Sequence, residues 1–328
     1  MMSPKRHNLV RVVNFALSAL LVFVAIWLLI NRQYVYDQIT VWQFKPGPGV
    51  VQLVDRAGMS EHGKFYYLAS QPKLDGTQNF NKECETVENS TSILGCYTNK
   101  KIYIYDVTDP KLDGIKEVTA AHEALHAAYQ RLDNAEKTKV NKLLEAEYIK
   151  LESQPEFKDR MAFYARTEPT ERDNELHSII GTEVADISPE LETYYKRYFD
   201  DRQKVVALNA AYSGVFKALD QKRTSLLSQI NELAAKIESD TAQYNSDVVK
   251  LNADINTFNN KTFSSRAQFD YERSQLTNRI AALDVLRSSV EAEVASHDSL
   301  VKQYNEIAIE SKKLYNSIDS TLAPTPSV

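Results

Sequence analysis

The chain has 328 residues, of which 43% are hydrophobic and 25% charged, an apolar mass sufficient for a core and a length beyond one small domain. A net charge of -5 and a pI near 5.8 provide no basic face to neutralise phosphates, which excludes nucleic acid as an expected partner. Only 9 glycines also argue against a loop-rich or low-complexity protein.

Val12–Ile30 contains no charge, and only Asn14 and Ser18 interrupt its apolar run, so as a helix it is long enough to cross a hydrocarbon layer of about 30 Å. Lys5, Arg6 and Arg11 precede it, whereas Arg32 is the only cation close behind and Asp37 soon follows. The positive-inside bias places the N-terminus in the cytoplasm and the rest outside the membrane. A cleaved signal peptide is the rival reading, but the exit Asn31-Arg32-Gln33-Tyr34 lacks a small-x-small cleavage site. The expected order is a cytoplasmic segment (1–11), a signal anchor (12–30) and a juxtamembrane linker (31–49) closed by Pro46, Gly47, Pro48 and Gly49.

A domain expected over 50–204 begins with helical spacing at 50–59. The run Phe65-Tyr66-Tyr67-Leu68, behind Gly63, reads as a strand, and residues 102–107, Ile-Tyr-Ile-Tyr-Asp-Val, are the clearest strand in the chain. Cys84 and Cys96 can pair as a disulfide outside the cytoplasm; two unpaired thiols are the alternative. Asp113-Gly114 breaks the chain before an alanine-rich helix over 118–132. Further helices are expected over 134–151, 174–184 and from Pro189 onward, the last with Ser188 as N-cap. The fold class expected is α+β, mostly helical.

The helix over 118–132 carries His122-Glu123-Ala124-Leu125-His126. Residues four apart share a helix face, so both imidazoles can reach one metal ion, and Glu123 beside them can take a proton from a water that the ion polarises. An ordinary helix with two packed or solvated histidines is the bland alternative. The strand at 102–107 and this helix together resemble the zincin metallopeptidases. The resemblance implies a zinc ion, peptide hydrolysis with Glu123 as general base, and pairing of the strand 102–106 with an extended substrate as an edge strand.

Two histidines need a third protein ligand, and no third histidine follows at the short metzincin spacing. Asn174-Glu175 resembles the pair that carries the ligand glutamate in gluzincins, which makes Glu175 the favoured ligand, Glu183 the main alternative and His177 a further candidate on the same helix. His177 is a candidate hydrogen-bond donor to a substrate oxyanion or a packed imidazole.

From 205 to 320 the chain has no proline and only Gly214 as glycine. Phe216, Leu219, Leu226, Ile230, Leu233, Ile237, Tyr244, Val248, Leu251, Ile255 and Phe258 fall on one 3-4 grid. A second grid takes Phe269, Leu276, Ile280, Leu283, Val290, Val294, Val301, Tyr304, Ala308, Tyr315 and Ile318. Turn-forming residues at 259–265 suggest an antiparallel coiled-coil hairpin; a parallel dimer of unbroken helices competes with it. A disordered tail is expected over 321–328.

Two functions follow: a membrane-anchored zinc metalloendopeptidase acting on protein or peptide substrates, or a non-catalytic adaptor working through its coiled coil. The hairpin is the expected site of partner binding or self-association.

Overall fold

The computed structural model describes residues 4–84, 93–167 and 170–320, and the tail expected at 321–328 lies outside them. Two compact units divide the chain, one formed by 1–214 with 316–328 and the other by Val215–Tyr315.

The first unit opens with α1 (Pro4–Ile30), whose stretch Val12–Ile30 is long and apolar enough to cross a membrane; Phe15 and Leu29 are 78% and 72% exposed. The segment expected as a linker is helical for most of its length, as α2 (Arg32–Gln43). Its breakers begin only at Pro46, and Asp37 on this helix is buried against Arg131.

Short helices α3 (Val50–Arg56) and α4 (Glu61–Ala69) follow. The aromatic run 65–68 is therefore helical, not a strand. Ser60 caps α4 by accepting from the Gly63 amide, and Tyr67 and Ala69 are drawn into the core while Phe65 and Tyr66 stay half-buried. Strand propensity in this run is overridden by packing. Gly63 is a packing residue and not a break: a Cβ there would lie 2.4 Å from the Tyr198 carbonyl oxygen.

Three short strands form one sheet in the order β1-β3-β2. β1 (Lys73–Asp75) runs parallel to β3 (Lys101–Tyr105), and β2 (Gly95–Thr98) runs antiparallel to it with Cys96 opposite Tyr103. The strand read at 102–107 is thus the central strand, so it has no free edge to offer a substrate. Helix α5 (Thr77–Cys84) packs Phe80 and Cys84 against Cys96 and Tyr103, and a Cys84–Cys96 disulfide ties it to β2.

Helix α6 (Ile115–Arg131) is the central helix of the unit, starting after Gly114 at φ +99°. It buries Ala120, Ala121, Ala124, Ala127 and Ala128, small side chains that let neighbouring elements approach closely. Next come α7 (Asn134–Leu151), with a capping box between Asp133 and Glu136, α8 (Pro155–Thr167), α9 (Arg172–Glu183) and α10 (Pro189–Tyr195), capped by Ser188. Helix α8 is absent from the sequence expectation. The core joins α3, α4, α6, α9 and α10 through Val54, Tyr67, Leu125, Ile180, Tyr195 and Phe199.

The second unit lies on two long helices, α11 (Arg202–Asn259) and α12 (Arg266–Ile318). Phe216 stacks near Tyr315 at 4.9 Å, Lys236 pairs with Glu293, and Arg279 reaches Asp254 at 2.5 Å, so the helices run antiparallel. Shielding along α11 follows the expected grid, with Leu226 and Leu251 the deepest. On α12 eight of the eleven named grid positions are shielded, but Ile280, Val294 and Tyr315 are 46%, 41% and 54% exposed, while Ile307 and Leu314, off the grid, are buried. Beside the shielded column through Leu276, Leu283, Val290 and Tyr304, a second runs through Arg279, Leu286, Glu293, Leu300, Ile307 and Leu314, one residue before the exposed positions. Arg279 and Glu293 are polar members of that column whose ends form the cross-helix ion pairs, so counting apolar residues misplaces this one column by a residue.

Candidate metal centre

His122 and His126 stand one turn apart on α6, with ring centroids 4.7 Å apart. The donor atoms of His122, Glu123 and His126 lie within 4.8 Å of one another, so the cluster can hold a metal ion. His126 and Glu123 are 7% and 5% exposed, the shielding that a metal or a general base requires from bulk water.

Helix α9 brings Glu175 to the same place. Its Oε2 is 3.5 Å from His122 Nε2 and its Oε1 is 3.4 Å from His126 Nε2. These separations are too long for well-formed hydrogen bonds. They match the gap of about 3.3 Å between ligand atoms set tetrahedrally at about 2.05 Å from one ion. Glu175 is 6% exposed and its Oε2 has no hydrogen-bond partner. A buried carboxylate oxygen without a partner is costly unless a cation sits against it, so the donor set fits a divalent metal. Burial alone would raise the Glu175 pKa, but His126, then His122, hold it below the ordinary value.

Glu183, the alternative ligand, is bound elsewhere: Arg160 Nη1 donates to its Oε2 at 3.0 Å. His177 is also away from the cleft. It is fully buried, its Nε2 lies 3.0 Å from the Tyr194 hydroxyl, and the Tyr195 hydroxyl donates to its carbonyl at 2.6 Å. Burial, followed by the charges of His126 and His122, lowers its pKa to about 3, so it is neutral at ordinary pH. His177 is thus a packed imidazole that does not line the cleft. Tyr194, Tyr195 and Tyr198 pack around it with Tyr129 and hold α9 in place.

Two glycines set the approach of the neighbouring elements. A Cβ at Gly181 would lie 2.4 Å from Leu125 Cδ1 and 2.8 Å from Tyr195 Cε1, so its absence lets α9 press on α6 and carry Glu175 to the histidines. A Cβ at Gly95 would lie 2.5 Å from Thr119 Cγ2 and 2.8 Å from Glu123 Oε1, so β2 passes directly over the motif. Neither was singled out in the sequence, because a lone glycine in a helix or strand carries no partner information.

The resulting cleft, of ≈ 240 Å³, is lined by Gly95, Tyr97, Gln130, Glu171 and Asn174 beside the two histidines and glutamates. The Asn174 amide donates to Glu171 at 2.9 Å. A larger cleft of ≈ 650 Å³ between α7 and α10, lined by Glu136, Val140, Tyr194 and Arg197, has no histidine in its lining.

No protein-family model, no curated protein and no solved structure matches this chain.

Proposed function

We propose that the chain is a membrane-anchored zinc metalloendopeptidase, with His122, His126 and Glu175 as protein ligands and Glu123 as general base. The observation that carries this reading is the convergence of two imidazole Nε2 atoms and the Glu175 carboxylate, at 3.4 and 3.5 Å, beside a buried Glu123. Two imidazoles and a carboxylate suit zinc, which when bound supplies Lewis acidity and a water with a pKa near 7. Glu123 accepts the proton of the attacking water, holds it, and returns it to the departing amine, so no net proton is consumed within the site. A purely structural metal site has no need of that base, which disfavours the adaptor reading.

The zincin-like domain falls within the first unit. In it the substrate-pairing role moves from 102–106 to β2, the edge strand that lines the cleft at Gly95 and Tyr97. An extended peptide added to that edge would run past Glu123. The Cys84–Cys96 disulfide supports an oxidising, extracytoplasmic location for the domain, with the N-terminus in the cytoplasm. Val215–Tyr315 we read as an antiparallel coiled-coil hairpin that recruits a partner or a second copy.

The test is hydrolysis of an unbiased peptide mixture by the purified chain, with and without a chelator. Cleavage that chelation abolishes and zinc restores is expected; cleavage indifferent to chelation would remove the metal from the reaction.

A further inference from the structure

Helix α2 has its amphipathic faces reversed relative to an ordinary surface helix. The side turned into the domain is polar, with Asp37 1% and Thr40 6% exposed. The outward stripe is apolar: Tyr36, Ile39 and Trp42 are 56%, 48% and 84% exposed, with Val35 beside them. Spacing of one, four and seven residues puts these four on one face. The helix cannot turn this stripe inward, because Asp37 is clamped by Arg131 through Nε at 2.8 Å and Nη2 at 2.9 Å. Arg131 is in turn fixed by donating to the Ala127 carbonyl at 2.8 Å.

An aromatic-rich apolar stripe left in water is unfavourable and calls for an occupant. Three observations select a lipid bilayer. The stripe is continuous with the apolar span, since α2 begins one residue after α1 and Asn31 still donates to the Trp27 carbonyl at 2.9 Å. Asn31, at φ -99° and ψ 22°, departs from helical values and forms a joint there. The stripe carries no carboxylate, while Arg32, Lys45 and Lys100 surround it, Lys100 lying 5.7 Å from the Tyr36 ring. Tryptophan and tyrosine flanked by cations are the residues that settle at the headgroup level of anionic membranes.

We infer that α2 is an interfacial helix whose outward stripe lies in the headgroup layer, so that the Asp37–Arg131 pair holds α6 and its metal centre close to the membrane surface. This rests on reading Val12–Ile30 as a membrane span.

The chain's two tryptophans, Trp27 and Trp42, allow a direct test in the full chain reconstituted into phosphatidylethanolamine–phosphatidylglycerol vesicles with acyl chains brominated at different depths. Trp27→Phe leaves Trp42 as reporter. Its emission is expected to shift to the blue and to be quenched by bromines near the headgroup. Water-like, unquenched emission would overturn the inference, and so would a blue shift without bromine quenching, which would mean that protein covers the stripe. Trp42→Phe leaves Trp27, expected to be quenched by deep bromines. An unquenched Trp27 would sink the span itself, a failure separable from that of the stripe alone.

Discussion

At the scale of single residues, the site divides its two glutamates by position. Glu175 faces both imidazole Nε2 atoms across metal-sized gaps, whereas Glu123 sits on α6 under β2. Glu175→Ala is expected to lose the metal and Glu183→Ala to keep it, measured as bound zinc after gel filtration, because Glu183 is engaged by Arg160. The reverse pattern would move the third ligand to α9's far end. His177 gives a pH dependence whose sign is fixed. Its folded pKa of about 3 lies below the usual 6.5, so the folded state refuses a proton that the unfolded state accepts. The stability it permits is complete above pH 6.5 and is lost as pH falls from there toward 3. Metal-free protein should lose about 2 kcal/mol between pH 7 and pH 5 from this residue. His177→Gln should remove that part of the slope in thermal melts; an unchanged slope would show that another group carries it.

At the scale of elements, what the sequence made legible was what local pattern controls. The alanine-rich spacing of α6, the cap before α10 and the β-branched run of β3 are all local signals, and these elements occur where expected. What it concealed depends on neighbours. Phe65 to Leu68 prefer a strand in isolation but sit in a capped helix pressed on Tyr198, and β3 becomes central only because β1 and β2 flank it. The motif was readable as a local pattern, and Glu175 only as a resemblance, because its distance from the histidines depends on Gly181. Gly181→Ala should therefore act at both levels. Displacing α9 from α6 should cost about 1–3 kcal/mol of stability and weaken zinc binding, checked by denaturation and by competition with a chelating dye. Retention of full zinc affinity would contradict the part assigned to this close approach. The disulfide closes a short loop at β2, so Cys84→Ala with Cys96→Ala should cost about 3 kcal/mol in a melt compared with the oxidised chain.

At the scale of the whole molecule, the division into units predicts separable roles. The candidate metal donors and the residues packed around them all belong to the first unit, and the second is built on two antiparallel helices. Replacing Val215–Tyr315 by a short flexible linker is expected to leave zinc content and peptide cleavage within about twofold while abolishing co-purification of a partner or second copy. The antiparallel pairing was legible from the turn residues between the arms. One of the two shielded columns of α12 was not, because it places Arg279 and Glu293 where an apolar pattern expects hydrophobes.

The claim on which the rest depends is that His122, His126 and Glu175 hold a zinc ion that Glu123 serves. The direct measurement is metal content, by mass spectrometry of the purified full chain, alongside peptide hydrolysis for the wild type and Glu123→Gln. The account predicts about one zinc per chain in both proteins, and hydrolysis lowered by about 10²-fold or more in the variant. A wild-type chain without metal, or equal hydrolysis by the two proteins, would contradict it.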